Sequence, residues 1–318
     1  MKNLFLLLLF LGIFVGIQIA LLKSNNQEEI NINYEEIISS VVQIEATDFR
    51  GAKTFGSGVI VSEDGYIITA YHLLLNGQSV SVKLNGNLIA AQVIGFDQFS
   101  DIAVVKIEND NLRPIDLSQP QNIEIGAKVF AIGNPYNVGI SLSSGIISAT
   151  DRHFGNPYLE IIQTDASINK GNSGGALVDE RGKFLGLNIS IASLSGGSDG
   201  VGFALPSEKV IAIVEEIIKH GKVKKAWLGN FSFRNIVYRD KTGQQLRALQ
   251  VIGDDLSIEN GLRDEDIIIS IKGSEPLWST LRASINSLSP GDILELIVIR
   301  NNERVSLDLK TVERPERI

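Results

Sequence analysis

The 318-residue chain contains no cysteine. A disulfide scaffold, a thiol nucleophile and any zinc or iron–sulfur site built on thiolates are therefore excluded. Histidine is scarce at 3 residues, which leaves little room for a histidine-rich metal site. Positive charge is also short. The net charge is −8, and setting aside residues 1–23, which carry Lys2 and Lys23 but no acid, leaves 27 basic against 37 acidic residues. So acidic a body is a poor partner for phosphate, and nucleic acid is not an expected ligand. No fixed-period repeat and no low-complexity tract is present.

Apolar residues make up 44% and charged residues 21%, close to the globular average, which excludes wholesale disorder. At roughly 100–200 residues per domain the length suits about two domains. Thirty glycines imply many tight turns, as an all-β protein needs. Leu4–Leu22 is a 19-residue run with no charge and one amide, Gln18. About 20 residues span a bilayer, and Lys2 ahead of the run favours a cytoplasmic N-terminus and an exported body. An uncleaved anchor is preferred to a cleaved signal peptide, whose apolar region is shorter and ends in a small-x-small site not evident near Ile19-Ala20-Leu21. An exported protein without cysteine needs no oxidative folding.

Residues 24–33 are polar and read as a linker. From Tyr34 to Asn188, short Val- and Ile-rich runs alternate with turn residues. The runs are Gly58–Val61, Tyr66–Ala70, Ser79–Leu84, Ile89–Gly95, Ile102–Ile107, Lys128–Ile132, Ile140–Ala149 and Phe184–Ile189. Turns such as Asn85-Gly86-Asn87 and Gly133-Asn134-Pro135 bound them. This pattern predicts a sandwich or barrel of many short strands. Val210, Ile213, Val214, Ile217 and Ile218 share one face of a helix predicted over Pro206–His220, with Gly221 as its C-cap. Lys222-Val223-Lys224-Lys225 reads as a hinge. Beyond it, short strands and helices resume over Ala248–Ile252, Asp266–Ile271, Ser279–Ser287, Ile293–Arg300 and Val305–Thr311, a second domain of about 90 residues.

The chemistry-bearing stretch is Gln163–Leu177, which contains Gly171-Asn172-Ser173-Gly174-Gly175. Glycines around a serine let backbone approach a substrate closely, and consecutive N–H groups in such a turn can converge on an oxyanion. A serine nucleophile also needs a base. His72 ends an apolar strand, Ile67–Leu73. Asp101 enters another, Phe99–Val105. The chain order His, Asp, Ser is one of those known for the acyl-transfer triad. Each residue alone also has a plain account, as a turn serine, a core histidine and a cap aspartate. His220 suits the last turn of its helix.

Taken together, these segments resemble the HtrA/Deg family of serine proteases. The resemblance rests on Gly56-Ser57-Gly58-Val59-Ile60, the strand ending at His72, Asp101-Ile102-Ala103-Val104, Ala131-Ile132-Gly133-Asn134-Pro135, Ser144-Gly145-Ile146-Ile147-Ser148, Gly171–Gly175 and Gly202-Phe203-Ala204-Leu205-Pro206. They occur in the family's order and span residues 56–206. Residues 226–318 are similar to the family's PDZ module through Ile258–Leu262, Asp266-Ile267-Ile268 and Ile271-Lys272-Gly273. The resemblance implies a mainly β protein: a chymotrypsin-like double β-barrel protease domain, then an α/β PDZ domain, with one N-terminal transmembrane helix. The implied boundaries are 1–23 for the anchor, 24–33 for the linker, 34–222 for the protease domain and 223–318 for the PDZ domain.

The resemblance makes Ser173 the nucleophile, His72 the general base and Asp101 its orienting carboxylate. Gly171, Asn172 and Ser173 would supply the oxyanion hole. Ile168, Asn188, Ile189, Ser190 and Ile191 would shape a pocket for a small aliphatic side chain. Trp227, Leu228, Gly229 and Asn230 would bind a peptide carboxylate, although Asn230 stands where an aliphatic is usual and Glu265-Asp266 where Gly-Asp is common. His153 falls in Asp151–Glu160, similar to the family's sensor loop.

Peptide hydrolysis without metal or cofactor is implied. So is a homotrimer packed around Tyr34–Val42, held at the inner membrane by Leu4–Leu22 with its body in the periplasm. The implied partners are C-terminal peptides of misfolded outer-membrane proteins as activators and a membrane-bound anti-sigma factor as substrate. A single PDZ domain and a short Ala46–Phe55 loop favour this regulatory branch over the soluble protease-chaperones of the family. A PDZ scaffold that has lost proteolysis is the reading from another class.

Overall fold

The computed structural model describes residues 33–118, 123–153, 159–191, 197–253 and 261–315. The expected anchor Leu4–Leu22 lies outside the described residues. Among those described, no helix is long and apolar enough to cross a membrane. A one-and-a-half-turn helix, α1 (Tyr34–Ser39), precedes the first strand, and the Asn33 side chain accepts the Glu36 N–H at its start.

Two closed antiparallel barrels follow, six strands each among the described residues. The first holds β1 (Val41–Asp48), β2 (Lys53–Ile60), β3 (Tyr66–Ala70), β4 (Gly77–Leu84), β5 (Asn87–Asp97) and β6 (Ile102–Ile107), in the order β1-β2-β3-β6-β5-β4. The second holds β7 (Lys128–Gly133), β8 (Ser141–Arg152), β9 (Ile161–Thr164), β10 (Ala176–Asp179), β11 (Phe184–Ile191) and β12 (Gly202–Pro206), in the order β10-β11-β12-β9-β8-β7. The double barrel expected from the sequence is therefore present.

Alternation along the strands explains why their sequences read as unbroken apolar runs. Successive side chains point to opposite faces, and here both faces of several strands are buried. Val42, Ile44, Ile60, Ile67, Val105 and Ile107 fill the first barrel. Their neighbours Val41, Val59, Ile68 and Val104 point outward into a separate core shared with Phe130, Ile132, Ala176 and Val178 of the second barrel. Leu177, Ile147, Ile162 and Ile168 fill the second barrel. Each such Val, Leu or Ile contributes about 1.5–3 kcal/mol on burial. The shared core thus fixes one barrel against the other and defines the cleft between them.

Helix α2 (Ser207–His220) closes this shared core with Val210, Val214 and Ile217 on one face. It ends where Gly221 adopts φ 76° and donates its N–H to Ile217 at 2.7 Å. The next stretch, read from sequence as a hinge, is held on both sides. Lys222 pairs with Glu313 at 2.7 Å, Lys225 with the buried Asp97 at 2.6 Å, and Lys225 C=O accepts the Arg314 N–H at 2.9 Å. The Arg314 guanidinium also lies 3.9 Å from the Phe99 ring centroid. Basic residues that look solvated in sequence here find acids and a ring brought from distant segments.

The C-terminal part comprises β13 (Ala226–Trp227), β14 (Ser232–Arg239), β15 (Gln245–Ile252), β16 (Ile267–Ile271), α3 (Trp278–Asn286), β17 (Ile293–Arg300), β18 (Glu303–Lys310) and β19 (Val312–Glu313). Strands β14 to β18 form one antiparallel sheet in chain order, while β13 pairs with β19. Leu281 and Ile285 of α3 pack on Leu249, Ile268, Leu296 and Val298. Of the two departures noted in sequence, Glu265 sits at φ 66°, a left-handed conformation that explains why glycine is usual there. Asp266 is buried and takes a two-pronged contact from Arg300, with Nε to Oδ1 at 2.8 Å and Nη2 to Oδ2 at 2.7 Å. It also accepts the Arg263 N–H at 3.0 Å.

Removing one partner of such a buried pair strands the other charge. Asp266→Ala is expected to lower the stability of the C-terminal part by about 3–5 kcal/mol. Denaturant unfolding followed at Trp227 and Trp278 measures this, and a change within about 0.5 kcal/mol would contradict it.

Candidate active site

His72 lies in a 3₁₀ turn (Tyr71–Leu73) immediately after β3. Asp101, at φ 57°, immediately precedes β6, the antiparallel neighbour of β3. The pairing of Ala70 with Ile102 therefore sets the two residues side by side. Asp101 grips the histidine twice: Oδ1 accepts the His72 backbone N–H at 2.8 Å, and Oδ2 lies 2.7 Å from Nδ1. The Asp101 C=O accepts the Tyr71 N–H at 3.0 Å. A carboxylate on Nδ1 places the proton there and leaves Nε2 as the free base.

Ser173 comes from the second barrel, in the turn between β9 and β10. Gly171 takes φ 103° and Gly174 φ 82°. A Cβ on Gly171 would overlap the Asn134 carbonyl, and one on Gly174 would overlap the Ser57 carbonyl and lie 2.8 Å from the Ala70 N. Only glycine fits this conformation and approach. The turn thus sits against the end of β3, two residues before His72. The Ser173 hydroxyl is directed at the Ile189 carbonyl, 3.4 Å away. No hydrogen bond joins it to the imidazole among the described residues. Nucleophile–base contacts of this kind tighten when substrate enters.

Most carbonyls of the turn are engaged, and so are its Asn172, Gly174 and Gly175 N–H groups. Lys170 C=O accepts the Tyr136 N–H at 2.8 Å, Asn172 N–H donates to Asn169 C=O at 2.9 Å, and Asn172 C=O accepts the Gly175 N–H at 2.9 Å. Gly174 N–H donates to Asn188 C=O at 2.8 Å. Among the described residues, the N–H groups of Gly171 and Ser173 have no protein acceptor. Two free donors in one turn, one of them on the residue that carries the hydroxyl, are what a developing oxyanion requires. The third expected donor is corrected by this geometry: the Asn172 N–H closes the turn and is turned away from that position.

The expected pocket residues separate. Ile168 is buried in the second barrel, 1% exposed, with its Cδ1 against the backbone of Gly202. Asn188 is 0% exposed, and its amide donates to Ala176 C=O at 2.9 Å and Ile132 C=O at 3.4 Å, tying β10 to β7. Neither offers side-chain surface to a substrate in this conformation. Ile189 is also buried, in the shared core, but its carbonyl faces Ser173. The side chains of Ser190 and Ile191 lie outside the described residues.

Trp227, Leu228 and Gly229 line a cavity of about 320 Å³ between the C-terminal sheet and the barrels. Asn230 is exposed and stands outside that lining. Beside the cavity, Arg282 of α3 reaches back to the second barrel. It pairs with Glu160 at 3.0 Å and donates to His153 Nε2 at 2.6 Å, while His153 Nδ1 donates to Leu159 C=O at 2.7 Å. Lys209 of α2 completes the cluster on Glu160 at 2.8 Å. The Lys209 hydrogen bond, followed by the charges of Lys209 and Arg282, holds the Glu160 carboxyl below the ordinary range. Ser57, Asn134, Tyr136, Asn169, Lys209 and Arg282 had no assigned role in the sequence, whereas His153 and Glu160 fell in the segment similar to a sensor loop. Ser57 and Asn134 lie in the quoted motifs and Asn169 in the Gln163–Leu177 stretch, but nothing local marks Tyr136 or pairs Glu160 with Arg282.

The chain matches the family model described as trypsin-like peptidase domain over residues 56–187. It is 34% identical over 276 residues to a "probable periplasmic serine endoprotease DegP-like" of Pseudomonas putida (strain GB-1), covering 84% of this chain and 58% of that protein. It is 37% identical over 272 residues to a "probable serine protease do-like" of Buchnera aphidicola subsp. Acyrthosiphon pisum, covering 81% of this chain and 57% of that one. The chain therefore spans somewhat over half the length of the curated relatives it matches. Among solved structures it is similar to the HtrA-type protease AlgW with a tripeptide, at TM-score 0.78 and 34% identity over 90% of this chain and 98% of that one. A serine endoprotease from Yersinia pestis matches at TM-score 0.73 and 31% identity, over 90% and 100%.

Asp101→Asn preserves the shape of the His72 contact but offers an amide where a carboxylate is needed. Turnover of an ester or peptide substrate is expected to fall by about 10⁴-fold, with substrate affinity little changed. Steady-state kinetics checks this, and a loss below about tenfold would contradict the role given to Asp101.

Proposed function

The chain belongs to the HtrA family of serine proteases, and from that premise we propose that it is a site-specific serine endopeptidase of the cell envelope, switched by peptides. The observation that carries this reading is the pair of free N–H groups at Gly171 and Ser173, in a turn that lies against the end of β3 two residues before the histidine oriented by Asp101. In the proposed reaction Ser173 Oγ attacks the peptide carbonyl while His72 Nε2 takes its proton. The oxyanion is held by the Gly171 and Ser173 N–H groups, and His72 returns the proton to the leaving amine. Water, deprotonated by the same imidazole, then releases the acyl group from Ser173. Loss of one oxyanion donor typically costs about 3–4 kcal/mol of transition-state stabilisation.

Residues 223–318 serve in this reading as a PDZ domain, with 34–222 as the protease domain. The loop Trp227–Asn230, in which Gly229 has φ 118°, would receive a peptide carboxylate on its backbone N–H groups, and the β14 edge would pair with the peptide. AlgW has been solved with a tripeptide and with a decapeptide, which supports a peptide as the ligand. The lining of the cavity by both parts supports coupling between ligand and protease. The proposed ligands are C-termini of misfolded outer-membrane proteins. The substrate would be a membrane-bound anti-sigma factor cut on its periplasmic side, by a homotrimer packed through Tyr34–Val42 and anchored by Leu4–Leu22.

General quality-control proteolysis of the DegP-like kind is the second reading, favoured by the names of the curated relatives. Against it stands the tight β1–β2 hairpin, where Asp48 Oδ1 accepts the N–H groups of both Arg50 and Ala52 at 2.8 Å. The soluble protease-chaperones often carry a long insertion near there.

Full-length chain in detergent micelles is expected to cleave an unfolded reporter faster when given peptides ending in an aromatic carboxylate. Ser173→Ala should abolish cleavage with or without peptide. Cleavage indifferent to peptide would remove the PDZ control, and cleavage by Ser173→Ala would remove the mechanism.

Arg282→Ala, which cuts the tie to Glu160 and His153, is expected to raise the peptide-free rate by up to about tenfold, the equivalent of about 1.4 kcal/mol of lost docking. Because the Glu160 pKa is lowered from 4.5, its contribution is full above that value and lost as pH falls through the folded one. The effect of Arg282→Ala should therefore shrink below that window, as pH-dependent rates of the two forms would reveal.

A further inference from the structure

Ser57 lies on β2 of the first barrel and is 0% exposed, yet its polar partners reach across to the second. Its backbone N–H donates to Ser173 C=O at 2.9 Å. Its hydroxyl donates to Gly171 C=O at 2.7 Å and accepts the Asn134 N–H at 2.8 Å. Its own carbonyl is held by Thr69 Oγ1 at 2.7 Å. One residue thereby grips the carbonyls of both residues whose N–H groups stand free.

Gly171 needs φ 103° and so must be glycine, but a glycine has no side chain to hold that conformation. It is pinned from outside instead. The peptide group on its N-terminal side is fixed by the Tyr136 N–H to Lys170 C=O, and the one on its C-terminal side by the Ser57 hydroxyl. Ser173 is fixed in the same way, by Gly175 N–H to Asn172 C=O on one side and Ser57 N–H on the other. We propose that Ser57 is a positioning residue for the oxyanion hole, its hydroxyl clamping the Gly171–Asn172 peptide so that the Gly171 and Ser173 N–H groups stay aimed at one point. The inference rests on the serine-peptidase reading above.

Ser57→Ala deletes the hydroxyl clamp but keeps the backbone bond to Ser173. The expected result is a fall in kcat of roughly 10–100-fold, smaller than the loss of an oxyanion donor outright, with KM within about threefold of wild type. Affinity for a peptide boronic acid, whose tetrahedral adduct occupies the oxyanion position, should fall in parallel. Binding of an uncleaved peptide substrate to Ser173→Ala should be unchanged when Ser57→Ala is added.

A folded Ser57→Ala enzyme whose kcat per fluorophosphonate-labelled site equals wild type would overturn the proposal, because a merely structural role lowers only the number of intact sites. If Ser57→Ala fails to fold, Ser57→Cys, similar in shape but a weaker donor, decides: lowered kcat per labelled site supports the clamp, and wild-type kcat overturns it. Wild-type protein that neither turns over substrate nor labels at Ser173 would overturn the peptidase reading and this inference with it.

Discussion

The turn Asn169–Gly175 leaves the Gly171 and Ser173 N–H groups without acceptors among the described residues, while most of its carbonyls are bonded. An unpaired buried donor costs about 1–3 kcal/mol, so a turn left to itself would rotate to bond those donors. What prevents this is a set of contacts from outside the turn. They come from Tyr136 after β7, from Asn188 on β11 and from Ser57 on the other barrel. The glycines that permit the conformation cannot enforce it, and the neighbours that enforce it are spread over more than 130 residues of sequence.

This explains why the two barrels must be fixed rigidly against each other. His72 and Asp101 arrive on adjacent strands of one barrel and are mutually placed by strand pairing alone. Ser173 arrives from the other barrel, and its relation to His72 depends on the shared core of Val41, Ile68, Val104, Ile132 and Val178. Because both faces of β1, β3 and β6 are buried, a one-residue slip in their pairing would exchange the barrel interior for the shared core. The register that packs the molecule is therefore also the register that builds the cleft.

The C-terminal part is tied to the barrels by contacts of a different kind. Lys225 with Asp97, Arg282 with Glu160 and Arg314 over Phe99 are ionic or cation–π, with a cavity between them. Such contacts break with less loss than an apolar core does, since both partners can be rehydrated. A tie of that strength can be shifted by a ligand of ordinary affinity, whereas the barrel–barrel core cannot.

Tyr66–Ala70 and Ile102–Ile107 were legible as strands to the residue, because two-sided burial leaves an unbroken apolar run bounded by turns. The helix ending at Gly221 was legible from its apolar face and its left-handed cap. Strand β9, only four residues long, carried no comparable signal. His72, Asp101 and Ser173 stood out because each sits in a short motif whose chain order has a chemical meaning. The roles of Ser57 and Arg282, the structural use of Asn188 and the turning away of the Asn172 N–H were not readable. Hydrophobic period and turn chemistry are local properties, so the sequence by itself determined the strands, the glycine-rich turn and the kinds of reacting groups. Which N–H stays free, and which charge meets which, depends on groups far apart in the chain, and only the packing of one barrel on the other and of the C-terminal part on the barrels decided that.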